Sequence, residues 1–204
     1  MAESPTVFIV DDDEPVRDSI GMLLDTVGIE HDEFATAQAF LDSFVADRTG
    51  CLILDIRMPG MSGLELQDKL AELKANIPII FITGHGDIPM AVEAMRKGAM
   101  DFIRKPFRDQ ELLDRIQEAL HADESLREWE SSLRVVRAKF ETLSPRETEV
   151  FDRVASGQAN KVVAIDLGIS ERTVEIHRSQ AMKKMNARTL AALVRMKIML
   201  EGDG

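Results

Sequence analysis

Several short apolar runs each stop on a residue able to handle charge. Val7-Phe8-Ile9-Val10 runs into Asp11-Asp12-Asp13, and Cys51-Leu52-Ile53-Leu54 runs into Asp55. Pro78-Ile79-Ile80-Phe81-Ile82 stops at Thr83, and Asp101-Phe102-Ile103-Arg104 stops at Lys105-Pro106. If these runs are parallel strands, their ends converge at the carboxyl edge of one sheet, where open α/β folds bind ligands. Carboxylates at about 4 Å repel by about 4 kcal/mol per pair at an effective dielectric near 20. Such a cluster stays ionised only beside a cation; otherwise one group keeps its proton. Carboxylate, carbonyl and water oxygens suit Mg²⁺, which bridges readily to phosphate. Asp12 and Asp55 are the expected direct ligands, the Arg57 backbone carbonyl is another, and Asp11 acts through water. Asp55 is the expected phosphoacceptor, because a carboxylate facing out of a strand end can attack a phosphoryl donor and form an aspartyl-phosphate. Lys105 would neutralise charge on the transferred oxygens, and the Thr83 hydroxyl could move towards them. Asp13 is expected to cap the next helix rather than bind metal. His31, His85 and His121 show no metal-ligand spacing and read as loop or surface residues.

The elements that must position these groups follow from periodicity. Strand-like runs near 6–10, 29–34, 51–55, 78–83 and 100–104 alternate with helical patterns near 14–28, 36–46, 63–74, 87–97 and 109–120. That alternation predicts an α/β doubly wound parallel five-stranded domain over 1–120, with helices on both faces. The turn formers between Arg57 and Gly63 hold the chain out of helix where a cation would need an oxygen. Over 121–140, Leu126, Trp129, Leu133, Val136 and Phe140 fall at spacings of 3 and 4, an a/d seam on a helical linker. This helix either continues from 109–120 and pairs with a second copy, or packs on its own chain.

The segment 141–204 has no strand pattern. Leu143-Ser144-Pro145-Arg146-Glu147 is a helix start with Ser144 as cap and Glu147 three residues later. Gly157 stops that helix, Asn160 to Leu167 forms a second, and Gly168 halts it. Ser170 caps a third helix beginning at Glu171, and 189–200 forms a fourth. Two helices around a tight glycine turn, the second of them basic, predict an all-α four-helix domain built on a helix-turn-helix.

Charge supports this division. The 204-residue chain has a net charge of −11, which by itself argues against nucleic acid. Residues 140–204 hold 10 basic and 9 acidic side chains, whereas 1–139 hold 15 and 27. Within 172–188, Arg172, Arg178, Lys183, Lys184 and Arg188 face Glu175 alone, the basic stripe expected of a DNA-binding helix. Glu175, Ile176 and Ser179 are the base-reading candidates. Lys161, Arg172, Thr173, Arg178 and Lys183 are the phosphate contacts. A hydrophobic content of 45% with 30% charged residues is that of a soluble globular protein. No membrane-length apolar stretch or secretory signal is evident, so a cytoplasmic location is expected, and the lone Cys51 reads as core filler.

These motifs resemble a known family along the whole chain. Val10-Asp11-Asp12, Leu54-Asp55-Ile56-Arg57-Met58-Pro59, Thr83-Gly84-His85-Gly86 and Lys105-Pro106-Phe107 are similar to a CheY-type receiver. Leu143-Ser144-Pro145-Arg146-Glu147, Leu167-Gly168-Ile169-Ser170 and Thr173-Val174-Glu175-Ile176-His177-Arg178 resemble the LuxR-type helix-turn-helix. Together they resemble two-component response regulators of the NarL/FixJ class, and Gly84 to Met95 is the most FixJ-like stretch. The resemblance implies a transcription activator rather than an enzyme, with a sensor histidine kinase, double-stranded promoter DNA and RNA polymerase as partners. It implies a homodimer on phosphorylation, Thr83 and Phe102 as a switch pair, and a cis Lys105-Pro106 bond. Phe102 stands where many relatives carry Tyr. A haloacid-dehalogenase-like phosphatase also uses a nucleophilic Asp and Mg²⁺, but it wants an acid where Arg57 stands. A receiver with vestigial acids, or one serving only protein interaction, are the other rivals, and the latter does not explain the basic helix.

Overall fold

The computed structural model describes residues 4–45, 48–84 and 88–202. They form two compact units, Met1–Arg127 and Glu128–Gly204. In the first, five parallel strands lie in the order β2-β1-β3-β4-β5: β1 Thr6–Val10, β2 His31–Phe34, β3 Gly50–Asp55, β4 Ile79–Thr83 and β5 Asp101–Arg104. The strand order reverses at β1, so Asp11 and Asp55 leave adjacent strands at the switch point where such sheets bind ligands. The register pairs Val10 with Leu54 and Thr83 with Arg104, which aligns the strand ends along one edge.

Strand alternation fills two cores. Phe8, Val10, Leu52, Leu54 and Phe81 face one side, against α2 (Ala37–Ser43), α3 (Gly63–Glu72) and α4 (Ile88–Arg96). Val7, Ile9, Cys51, Ile53, Ile80 and Ile82 face the other, against α1 (Glu14–Val27) and α5 (Asp109–Phe140). Fully burying one such side chain contributes about 1.5–3 kcal/mol. Burial also pushes the Cys51 thiol up to about 12, with Asp123 adding to the shift, so this sulfur is inert filler.

Two features differ from the sequence reading. α2 stops at Ser43, because Phe44 turns extended and joins the Phe8–Phe40 ring cluster. Asp13 holds the N-cap position of α1, but its side chain makes no capping bond. α5 is one helix of 32 residues, so 109–120 and the 121–140 linker are continuous, as one of the two readings of the seam has it. The part of its seam at Val136 and Phe140 packs into the core of the second unit, while Trp129 is 38% exposed.

The second unit contains α6 (Pro145–Ala155), α7 (Asn160–Leu167), α8 (Glu171–Met185) and α9 (Leu190–Glu201) around Val150, Phe151, Val163, Val174, Met185 and Leu193. The Ser144–Glu147 capping box opens α6, and Ser170 caps α8 by accepting from the Thr173 N–H. Among the described residues, no helix is long and apolar enough to cross a membrane.

Candidate functional site

Buried carboxylates need partners, and the acidic edge supplies one that serves two acids. The Lys105 ammonium donates to Asp11 Oδ2 and to Asp55 Oδ1, each at 2.7 Å. Asp11 is 1% exposed and Asp55 8%. Asp55 Oδ2 also accepts the Arg57 N–H at 2.6 Å. Burial raises the Asp55 pKa; bonding and charge from Lys105 oppose that rise, and repulsion from Asp11 adds to it. Burial works against the Lys105 charge as well, but its bonds to Asp11 and Asp55 prevail and hold its pKa above the ordinary value. Two carboxylates and one ammonium leave a net negative charge in a partly desolvated place, which is the setting that favours a hard cation or a protonated acid.

Local sequence explains how the edge is held. Gly63 begins α3, and a Cβ there would stand 2.2 Å from the Asp55 carbonyl oxygen, so only glycine lets the helix start so close. Its N–H bonds to the Ile56 carbonyl, and the Ser62–Glu65 capping box fixes the turn. At the far strands, the Lys105 N–H donates to the Thr83 carbonyl at 2.7 Å, and the Lys105-Pro106 peptide is cis.

Asp11, Asp55 and Lys105 are thus brought together. Thr83 is buried at the end of β4, whereas the Phe102 ring on β5 is 39% exposed. Asp12 lies exposed beside them, and among the described residues no three His, Cys, Asp or Glu side chains gather closely enough to hold a metal together. Asp11 and Asp55 share the Lys105 ammonium, and Asp12 stands outside that bonded set. His31 is half-buried in β2, 3.8 Å from Asp25 and 3.6 Å from Glu33, rather than in a loop. Residues 85–87, including His85 of the Thr83-to-Gly86 motif, lie outside the described residues.

Sequence reading missed Arg17, whose Nη1 donates to the Asp11 carbonyl at 2.7 Å. The available signal was its place one helical turn beyond Asp13, which puts it over the turn that carries the acids.

The basic helix is α8. Arg172, Glu175, Ile176, Ser179 and Lys183 are exposed along it, and Lys161 is exposed on α7. Thr173 is half-buried, its hydroxyl 2.8 Å from that of Ser170. Arg178 donates to Asn160 Oδ1 at 3.1 Å, which joins the two helices of the motif. Asn160, Glu175, Arg178, Ser179 and Met182 line a shallow groove. Lys184 departs from the stripe: its ammonium bonds Glu147 at 2.6 Å and the Thr142 carbonyl at 3.0 Å, inside its own domain.

Comparison with known proteins agrees with the two-domain architecture. Residues 7–117 match the response regulator receiver domain, and 141–197 match the bacterial regulatory proteins of the luxR family. Nodulation protein W of Bradyrhizobium diazoefficiens is 53% identical over 93% of this chain and 84% of its own length. The transcriptional regulatory protein FixJ of Rhizobium meliloti is 49% identical over 94% of both chains. Among solved structures, the response regulator StyR superposes with a TM-score of 0.81 at 45% identity, covering 96% of this chain and 98% of its own. With a receiver fold carrying paired buried acids and a helix-turn-helix carrying a basic face, the chain belongs to the response regulators of the NarL/FixJ class.

Proposed function

We propose that this chain regulates transcription through phosphorylation of Asp55 by a sensor histidine kinase. The observation that carries the reading is the Lys105 ammonium held 2.7 Å from both Asp11 and Asp55 at the sheet's switch point. In the transfer, an Asp55 carboxylate oxygen attacks phosphorus, an O–P bond forms, and the P–N bond of the kinase phosphohistidine breaks with its electrons leaving on the imidazole. The Arg57 N–H orients the Asp55 carboxylate through Oδ2. Lys105 supplies positive charge to the incoming oxygens, a contribution typically worth about 10²–10³ in rate.

The oxygen donors fit Mg²⁺: Asp11, Asp12, Asp55 and the Arg57 carbonyl would hold it. Support comes from the geometry: Asp11 and Asp55 are both buried and share a single ammonium, so two carboxylates face one positive charge. When bound, the ion screens charge on the phosphoryl group.

Phosphorylation then adds negative charge beside Thr83. Thr83 turns towards it and Phe102 fills the space vacated. Val92, Met95 and Phe102 are exposed on the α4–β5 side and form the apolar surface on which two receivers pair. The paired second domain binds promoter DNA through α8, with half-sites about 10–10.5 bp apart, and engages RNA polymerase. The location is cytoplasmic.

Acetyl phosphate with Mg²⁺ tests this reading. The expected result is a single label on Asp55 and tighter DNA binding, both lost in Asp55→Asn. An Asp55→Asn variant that labels and binds DNA like the parent would sink it.

A further inference from the structure

Asp123 is 2% exposed, although it lies on α5 beyond residue 117, where the receiver match ends. A buried carboxylate persists only where donors satisfy it. The Gly50 N–H donates to its Oδ2 at 3.0 Å, across 73 residues of sequence. Arg127 Nε lies 3.0 and 2.9 Å from its two oxygens. The same guanidinium donates through Nη2 to the Arg48 carbonyl. Arg48 in turn pairs with Asp32 and lies 4.6 Å over the Phe8 ring. Gly50 is required in this arrangement: its φ is +142°, and a Cβ would stand 1.8 Å from the Thr6 carbonyl oxygen. The first residue of β3 presents its N–H to the helix, where Asp123 accepts it.

We propose that Asp123 and Arg127 form a clamp that fastens α5 to the amino-terminal end of β3 and makes 121–127 the output joint of the receiver. A helix leaving a domain without side-chain anchors pivots, and so absorbs any shift in that domain. One tied by buried, charge-assisted bonds keeps its direction and passes the shift on. β3 carries the clamp at Gly50 and the proposed phosphoacceptor at Asp55, so both act on one strand. The transmission half of this proposal rests on the reading of Asp55 given above; the anchoring half does not.

Asp123→Asn and Arg127→Gln in the full chain test both halves. Asp123→Asn keeps an oxygen for Gly50 but loses the charge, and Arg127→Gln keeps the carboxylate, so two independent variants probe the clamp with folding checked by circular dichroism. Hydrogen exchange should rise about tenfold or more at 119–128 and at Gly50. Acetyl phosphate labelling of Asp55 should stay within about twofold of the parent, while the gain in DNA affinity on phosphorylation falls about fivefold or more. Unchanged exchange in both variants overturns the clamp. Raised exchange with the full gain in DNA affinity overturns transmission. A parent chain that fails to label, or whose DNA affinity ignores the label, overturns the functional reading and with it transmission, while the exchange comparison still decides the anchoring.

Discussion

The two domains handle charge in opposite ways. The receiver buries its working groups and compensates them at a few ångströms: Asp11, Asp55 and Lys105 come from strand ends 50 and 94 residues apart and close into one bonded set. The second domain displays Arg172, Glu175 and Lys183 on one exposed helix, where neighbours in space are neighbours in sequence. A buried set is sensitive to the loss of any member, because the survivors are left desolvated without a partner. An exposed set loses one member at a time, each contributing a small and salt-screened share. Graded damage in one domain against all-or-none damage in the other is the consequence to test.

The largest effect should follow from Lys105→Ala. Without the ammonium, Asp55 keeps its burial and its repulsion from Asp11 and loses the positive charge that faces the transferred oxygens. Labelling by acetyl phosphate should slow about 100-fold, the usual loss when one charge-stabilising donor is removed. Stopped labelling reactions at pH 7 measure the loss. A rate within twofold of the parent would show that the buried set is no more cooperative than the exposed one.

How much of this was legible in the sequence follows the same contrast. Asp55 and Lys105 were readable because strand runs end abruptly on them, and parallel strands must end at a common edge. The bridging by Lys105 was not, because no pattern says which of several strand-end groups bonds which. Asp123 was invisible for a related reason. On a helix that reads as polar linker, a buried acid looks like any solvated one until its partner, Gly50, is known to lie beside it. Lys184 failed in the other direction: counted among the bases of α8, it faces Glu147. Charge counting assumes that every cation points outward, and one helix face is enough to make that wrong.

Glu147 offers a second, smaller test, since it is a buried acid in the domain that displays its other working charges. Its pKa lies below the ordinary 4.5, first because Lys184 donates to it and then because the Ser144 N–H does. The unfolded chain therefore takes up this proton before the folded one. The resulting stability is complete above pH 4.5 and drains away as pH falls through the folded value. Glu147→Gln should lose about 1 kcal/mol at pH 7, discounted because the Lys184 head is partly exposed. Its stability should then fall less steeply in acid, so that variant and parent converge at low pH. Urea unfolding followed by circular dichroism at pH 7 and pH 3.5 reads the difference. Parallel curves at both pH values would assign Glu147 no more than a helix-capping role.

The smallest effect separates two adjacent lysines. Lys183 is exposed and should release counterions when it meets a phosphate. Lys183→Gln should therefore reduce the slope of log affinity against log salt by about one unit. Lys184→Gln should leave that slope unchanged while lowering the urea midpoint, because its ammonium is spent on Glu147 and the Thr142 carbonyl. Fluorescence anisotropy with a labelled duplex across a salt series distinguishes the two. If both substitutions shift the slope equally, Lys184 leaves Glu147 on binding and the full basic stripe faces the backbone. The second domain would then store one of its DNA contacts as an internal ion pair, and the division between buried and displayed charge would hold only in the unbound state.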